Sequence, residues 1–407
     1  MKPDHLTWHD LDLRTVTPAY LGRFPGQKTE PRDIPFPVPS LRGILAYWLR
    51  ALAGPHIGNS AEKLLEAETD VFGTAKDFGP ARPSRILLRA GRITVGKPPD
   101  KPLPGEGYLM GPGLINADED GRWARRLDPG PVPVRVRNLG KPAHADLFLA
   151  ALWALCTYGG LGSRSRRGFG TLAIGSPPDM PGGRFDPSWF SGTADDALHD
   201  VLECTAAALD EREIGPGPEF DGPAPYPCFA PGQYRTAQYR LKQGRDVANA
   251  LNEVGGFLRT FRHSRKPDPA FVSSGPFSLP NTEGFRKIAH PHRRSQPPRG
   301  PFNDGALGLP VVYSEIGEPG SVTVEPVVDG KPARRASPLW LRVTVENGHW
   351  ILGSLAFHAE WLPEQVSLQA KLENRVQAVQ KPSQSNVRAE LDRWFDEVDK
   401  AFGPQIH

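Results

Sequence analysis

The chain has 407 residues, 38% of them hydrophobic and 23% charged, with a formal net charge of +3. That length exceeds one average domain and allows a sizeable core without disulfides or a structural metal. So small a net charge excludes a uniformly basic polyanion binder, so any phosphate site has to be local.

Leu11, Leu13 and Val16 alternate with polar neighbours and predict a strand over Leu11–Thr17, closed by Pro18 and Gly22. After the proline-rich IPFPVPS segment, Leu41, Ile44, Leu45, Trp48, Leu49 and Leu52 recur at helical spacing. A helix over Leu41–Ala53 follows, with Ser40 as N-cap and Gly54-Pro55 as the stop. Arg42, Ala46 and Arg50 share its other face, so two guanidiniums are expected to point outward. A second short helix is expected around Ala61–Thr69, leading into Asp70-Val71-Phe72-Gly73. Ser84–Val95 alternates like a strand or hairpin, residues 96–131 read as a long loop, and Val132–Arg137 alternates again. An apolar helix from His144 ends at Gly159 and runs into a glycine-rich loop and the short strand Thr171–Ile174. The resulting β-α-β-β-α-β order is that of a ferredoxin-like unit. Residues 1–174 are therefore expected as a first domain, with Ser176–Gly183 as linker.

The remainder, 175–407, reads as a second α+β domain of the same kind. It offers an acidic helix over Asp195–Arg212, a strand within Gly232–Leu241, and a helix over Asp246–Phe261 interrupted at Gly255-Gly256. Residues 262–306 are basic and proline-rich without a period. Strands follow at Gly308–Ile316 and Ser321–Val328. A hairpin pairs Leu339–Val345 with His349–Phe357 about Asn347-Gly348, the favoured two-residue turn. An amphipathic helix over Asn386–Phe402 stops at Gly403-Pro404. The fold class is thus α+β, two ferredoxin-like (RRM-like) domains with long Gly/Pro-rich loops.

Cys156, Cys204 and Cys228 lie far apart with no C-x-x-C spacing, which fits a reduced, cytoplasmic protein and offers no zinc framework. The N-terminal MKPDHLTWHDLDL lacks an apolar signal core, and the longest apolar run, Leu147–Cys156, is about half a membrane span. No membrane partner and no cofactor are expected.

The most informative stretch is Gly159-Gly160-Leu161-Gly162-Ser163-Arg164-Ser165-Arg166-Arg167-Gly168-Phe169-Gly170. Glycines permit close approach of another backbone, and successive amides in such a loop can form an anion-binding nest. Arg164, Arg166 and Arg167 supply planar forks suited to phosphate oxygens, and Phe169 either stacks on a base or packs on the sheet. No Gly-Lys-Ser/Thr follows, so this is not a Walker loop, and a glycine loop after a helix is not a dinucleotide fingerprint. Arg167-Gly168-Phe169-Gly170 matches the start of an RNP1 signature, but Thr171 stands where the next aromatic belongs. The bland alternative is a basic surface loop with no ligand.

The order TPAYLGR, VPSLRGILAYWLRAL, LLEAETDVFG, SRILLRAG and GGLGSRSRRGFG resembles the RAMP superfamily of CRISPR proteins, most narrowly subunit 1 of the Cmr (type III-B) effector. Ser40–Ala51 matches its helix pattern, Glu68–Gly73 its E-x-x-x-F-G element, and GLPVVY and Arg334–Leu339 later patches. Tyr47 departs from it, standing where that family more often has arginine. The resemblance implies two ferredoxin-like domains and a place near the 3′ end of the guide CRISPR RNA. It further implies help in capturing target RNA beside other RAMP subunits, without a cutting role. In this reading Arg42 and Gly43 in the first helical turn, with Gly160, Gly162, Arg164, Arg166, Arg167, Gly168 and Phe169, bind RNA. Ser40 would leave the helix N-terminus open to an anion; the alternative for Gly43 is close packing on the sheet.

Two further basic tracts interleave aromatics, Arg259–Lys266 and Phe285–Arg294, and offer Arg262, Lys266, Arg293 and Arg294 as RNA contacts or merely a solvated loop. His290 and His292 lack an acidic partner set for a metal. Asp33 lies where backbone RAMP subunits carry a target-cleaving aspartate, although the matched family is not credited with that activity. The competing class is a metal-independent guide-RNA-processing endonuclease of the Cas6 type, whose glycine loop lies near the C-terminus.

Overall fold

Alternation along the first strand sorts its side chains: Leu11 and Leu13 are buried while Asp10, Asp12 and Arg14 are exposed. The computed structural model describes residues 7–22, 33–74, 81–111, 114, 125–176, 178, 180, 183–191, 194–263, 284–314, 320–403 and 405. The first half contains β1 (His9–Thr15), β2 (Ala19–Leu21), β3 (Asp33–Pro35), α1 (Val38–Ile57), α2 (Ala61–Phe72), β4 (Ile86–Ala90), β5 (Arg92–Thr94) and α3 (Pro104–Met110). After these come β6 (Arg125–Leu127), β7 (Gly130–Asn138), α4 (Pro142–Tyr158) and β8 (Leu172–Ile174). Four of the strands form an antiparallel sheet in the order β4-β7-β1-β8.

Helix α1 differs from its expected bounds at both ends. It starts three residues early, with Pro37 as cap and no side-chain capping bond, so Ser40 is not the N-cap. The Val38 amide bonds to Phe36 O at 2.9 Å, the Ser40 and Leu41 amides bond to Pro37 O, and Pro39 has no N–H. The helix also runs through Gly54-Pro55 to Ile57. Pro55 leaves the Ala51 carbonyl without its helical donor, and the Phe229 amide takes it at 3.0 Å. Arg50 does not reach solvent as a free guanidinium; it pairs with Glu68 of α2.

Nearly every residue of α4 is buried, as expected of a helix apolar on all sides. It packs on α1 and on α5 (Ala194–Glu211). Ser84–Val95, read as a strand or hairpin, holds two strands that do not pair with each other: β4 joins β7 and, after Gly91, β5 pairs with β3.

The second half continues with β9 (Tyr234–Arg240), α6 (Val247–His263), β10 (Val311–Ser314), β11 (Ser321–Val328) and β12 (Lys331–Pro332). It ends with β13 (Leu339–Glu346), β14 (His349–Phe357), β15 (Ser367–Leu372), β16 (Arg375–Val379) and α7 (Gln384–Phe402). Sheets run β13-β14-β9 and β10-β11-β15-β16, with β12 on β11. The β13–β14 hairpin turns at Asn347 and Gly348, both at positive φ (49° and 76°), as a primed turn requires. In α7, Val387, Leu391, Trp394, Phe395 and Val398 make one buried stripe, and Ser383 caps the start. The β15–β16 pair and α3, which falls within residues read as loop, carry no signal that the sequence reading caught.

Gly255 does not interrupt α6. A Cβ there would lie 1.9 Å from Gly105 O, so the glycine lets α3 cross α6 at backbone contact. By this crossing Leu109 and Met110 of the first half join the core under β13 and β14. In return Trp340, Leu355 and Phe357 of the second half enter the other core, where Trp340 lies 5.0 Å from Trp48. The chain is α+β with several small antiparallel sheets, and its two cores each draw on both halves.

Candidate nucleic-acid interface

The glycine-rich loop leaves α4 at Gly159 and sits where the two cores meet. Its amides are committed inward: Leu161 N–H bonds to Gly170 O at 2.8 Å, Ser163 to Tyr20 O at 2.7 Å, Gly168 to Leu341 O at 2.8 Å and Gly170 to Pro18 O at 2.8 Å. The Thr17 hydroxyl donates to Gly168 O at 2.8 Å and accepts the Thr171 amide at 3.0 Å. Gly170 (φ 67°) has no room for a side chain, since a Cβ would fall 1.9 Å from Leu161 O. Gly160 and Gly168 are buried and Gly162 is exposed. At these four positions the loop has no N–H left for phosphate, which removes them from the expected amide nest.

Phe169 is corrected as well. It is fully buried and packs edge-on against Tyr20, ring centroids 5.1 Å apart, so it is a core residue and not a base-stacking one.

The three arginines are half-buried around a short 3-10 turn, Ser165–Arg167. Arg164 lies against the C-terminal end of α3, where a Cβ on Gly111 would meet its Nη2 at 3.0 Å. Arg166 donates to Ser337 O and spreads over the Trp340 ring at 4.4 Å and the Tyr47 ring at 5.4 Å. Tyr47 and Trp340 are joined through the phenol oxygen and the indole Nε1 at 3.2 Å. Tyr47, the departure from the family pattern, is therefore the platform on which a loop arginine rests.

Burial lowers all three guanidiniums from their ordinary value. For Arg164 the neighbouring Arg334 adds repulsion. Arg167 falls to about 10, first from burial and then from Arg262 and Arg164. Arg335 is lowered by burial and by Arg166, while its side chain is held by Trp361 O at 2.7 Å and Glu360 O at 3.1 Å. Arg262 is held above its ordinary value chiefly by Tyr108, against the cost of burial, with Tyr313 and Asp304 beyond. Among the described residues, Arg164, Arg166, Arg167, Arg334 and Arg335 form no ion pair with a carboxylate, unlike Arg50, Arg92, Arg135 or Arg212. Several half-desolvated like charges without a paired carboxylate among the described residues make a strongly electropositive cluster.

Arg42 and Gly43 are exposed on the second turn of α1, and a Cβ on Gly43 would meet nothing within 4 Å. Close packing therefore does not explain that glycine. Nor is the helix end an open set of donors, for the reasons given at Pro37–Leu41. Gly43 and Tyr47 are four residues apart and share a face, which leads from the exposed turn to Arg166.

The other tracts disperse. Lys266 lies outside the described residues. Arg293 donates to Gly320 O at 3.2 Å, and Arg294 reaches His290 Nδ1 at 2.7 Å. His292 is buried with Nδ1 2.7 Å from Gln377 Oε1, and Asp33 is paired with Arg92. Sequence reading did not single out Tyr108, Trp340, Arg334 or Arg335 as site residues. The adjacent Arg334-Arg335 was the one available hint.

Residues 12–173, from β1 through the glycine loop to β8, match the RAMP superfamily model. This part of the chain is similar to the RAMP superfamily. The CRISPR system Cmr subunit Cmr1-1 of Pyrococcus furiosus is 36% identical over 141 residues, covering 33% of this chain and 39% of that one. Cmr1-2 of the same organism is 25% identical over 193 residues, 40% of this chain and 93% of its own length. The crystal structure of apo Cmr1 from Pyrococcus furiosus superposes with a TM-score of 0.56 at 19% identity, over 92% of this chain and 99% of that one, so the fold is shared. The RAMP match ends where the glycine loop has delivered its arginines, and the second-half arginines that face them lie outside it. No helix among the described residues is long and apolar enough to cross a membrane.

Proposed function

We propose that this chain is a non-catalytic RNA-binding subunit of a type III-B CRISPR ribonucleoprotein. In this reading it sits near the 3′ end of the guide RNA, contributes to target-RNA capture in antiviral defence, and works in the cytoplasm beside other RAMP subunits. The first sheet, β4-β7-β1-β8 with α1 and α4 over it, is read as a ferredoxin-like unit. The second half is read as another such unit, divided from it near Ile174.

One observation carries the proposal: Arg164, Arg166 and Arg167 are held by the loop with no carboxylate among the described residues paired to them. Side-chain forks on a rigid loop follow a phosphate backbone without reading base identity. Arg42 and Gly43 extend the track along α1. The test is RNA binding as a function of salt. Each single-strand phosphate neutralised contributes roughly 0.7 to the slope of log K against log salt. Arg164, Arg166 and Arg167 changed together to alanine should flatten the slope by about 2 and weaken unrelated RNA sequences alike. An unchanged slope would mean that the loop does not touch RNA.

A further inference from the structure

The arginines around the glycine loop come from both halves of the chain. Arg164, Arg166 and Arg167 belong to the loop, whereas Arg262 ends α6 and Arg334 and Arg335 precede β13. The halves touch here through Gly168 N–H, which bonds to Leu341 O, and the Arg166 side chain, which donates to Ser337 O, while Arg335 is fixed within the second half by both backbone hydrogen bonds with Leu309. Among the described residues, Asp304 acts on Arg262 and Glu360 on Arg335. Arg334 is exposed. Like charges therefore face one another across the joint between the two cores.

We propose that these arginines form one composite oxyanion site spanning the joint, and that a phosphate-bearing ligand bound there locks the two halves together. The inference rests on the RNA-binding reading of the loop and extends it, by adding Arg334, Arg335 and Arg262 and by linking occupancy to stability. A ligand that binds the folded state alone raises its melting temperature, and here it also removes a repulsion. The phosphate can come from a nucleic-acid strand or from a free polyphosphate.

Thermal unfolding of the full chain tests this, in sodium chloride against sodium pyrophosphate at matched ionic strength, and with a short single-stranded RNA. The wild type should melt about 3 °C higher with pyrophosphate or RNA. Arg334→Gln should melt higher than wild type in chloride, because repulsion is relieved, and should lose most of the ligand-induced rise. A purely structural arginine would give the opposite sign in chloride. A rise with RNA alone supports the site and assigns it to a strand; a rise with pyrophosphate alone supports it with a free polyphosphate as ligand. Equal melting in all three media overturns the proposal, as does an Arg334→Gln variant that melts lower in chloride and keeps the full rise. RNA binding whose salt slope depends on the loop arginines, without any stabilisation, would leave the RNA reading standing and this one refuted.

Discussion

Phe169→Leu separates a packing role from a base-stacking role at the residue where an RNP1-like reading and the fold disagree. Phe169 is fully buried, meets Tyr20 edge-on at 5.1 Å with 67° between ring planes, and belongs to the core shared by both halves. Truncation to alanine would cost about 3–5 kcal/mol and endanger folding. Leucine keeps most of the apolar volume and chiefly forfeits the aromatic pair, worth about 0.5–1.5 kcal/mol, so a total near 1–2 kcal/mol is expected. Urea titration reads that loss as a lower midpoint. Fluorescence anisotropy with labelled RNA, below the transition of both proteins, should give the wild-type affinity within about twofold and the same salt slope. If Phe169 instead stacks on a base, affinity should fall by about 1–3 kcal/mol, roughly 5- to 150-fold, with the urea midpoint unmoved. That outcome would refute the assignment of Phe169 to the core.

Gly170→Ala should destabilise by about 2 kcal/mol or more in calorimetry, because φ is 67° and the new Cβ would fall 1.9 Å from Leu161 O. Gly222→Ala, with open space and no positive φ, should stay within about 0.5 kcal/mol of wild type. At Asp70, burial would raise the carboxyl, but His144 at 3.1 Å and Arg212 at 2.8 Å more than reverse this and hold it below the usual range. The ionised carboxylate thus favours the fold above the unfolded-state value near 4, and this contribution fades as pH falls through the depressed folded-state value. Asp70→Asn should therefore be less stable than wild type at pH 7, with the two urea midpoints converging as pH falls below about 4; a gap that stays constant down to pH 2.5 would contradict the linkage.

What could be read from the chain alone was whatever short-range chemistry decides. Helix α4 announces itself by unbroken apolarity, α7 by its stripe and by Gly403, and the β13–β14 hairpin by Asn347-Gly348. The glycine loop with its arginines stood out as the chemical centre for the same reason, since composition and spacing are local. Errors arose where a distant segment supplies the missing partner. Gly54-Pro55 looks like a helix stop until the Phe229 amide satisfies Ala51 O, and Gly255 looks like an interruption until α3 crosses it. Whether Phe169 faced a base or the core, and which arginines lie beside Arg164 and Arg167, depended on groups tens to hundreds of residues away. A lone guanidinium in sequence has no sign of its surroundings. Only the packed chain, by bringing Arg262, Arg334 and Arg335 to the loop, turned separate basic residues into one cluster.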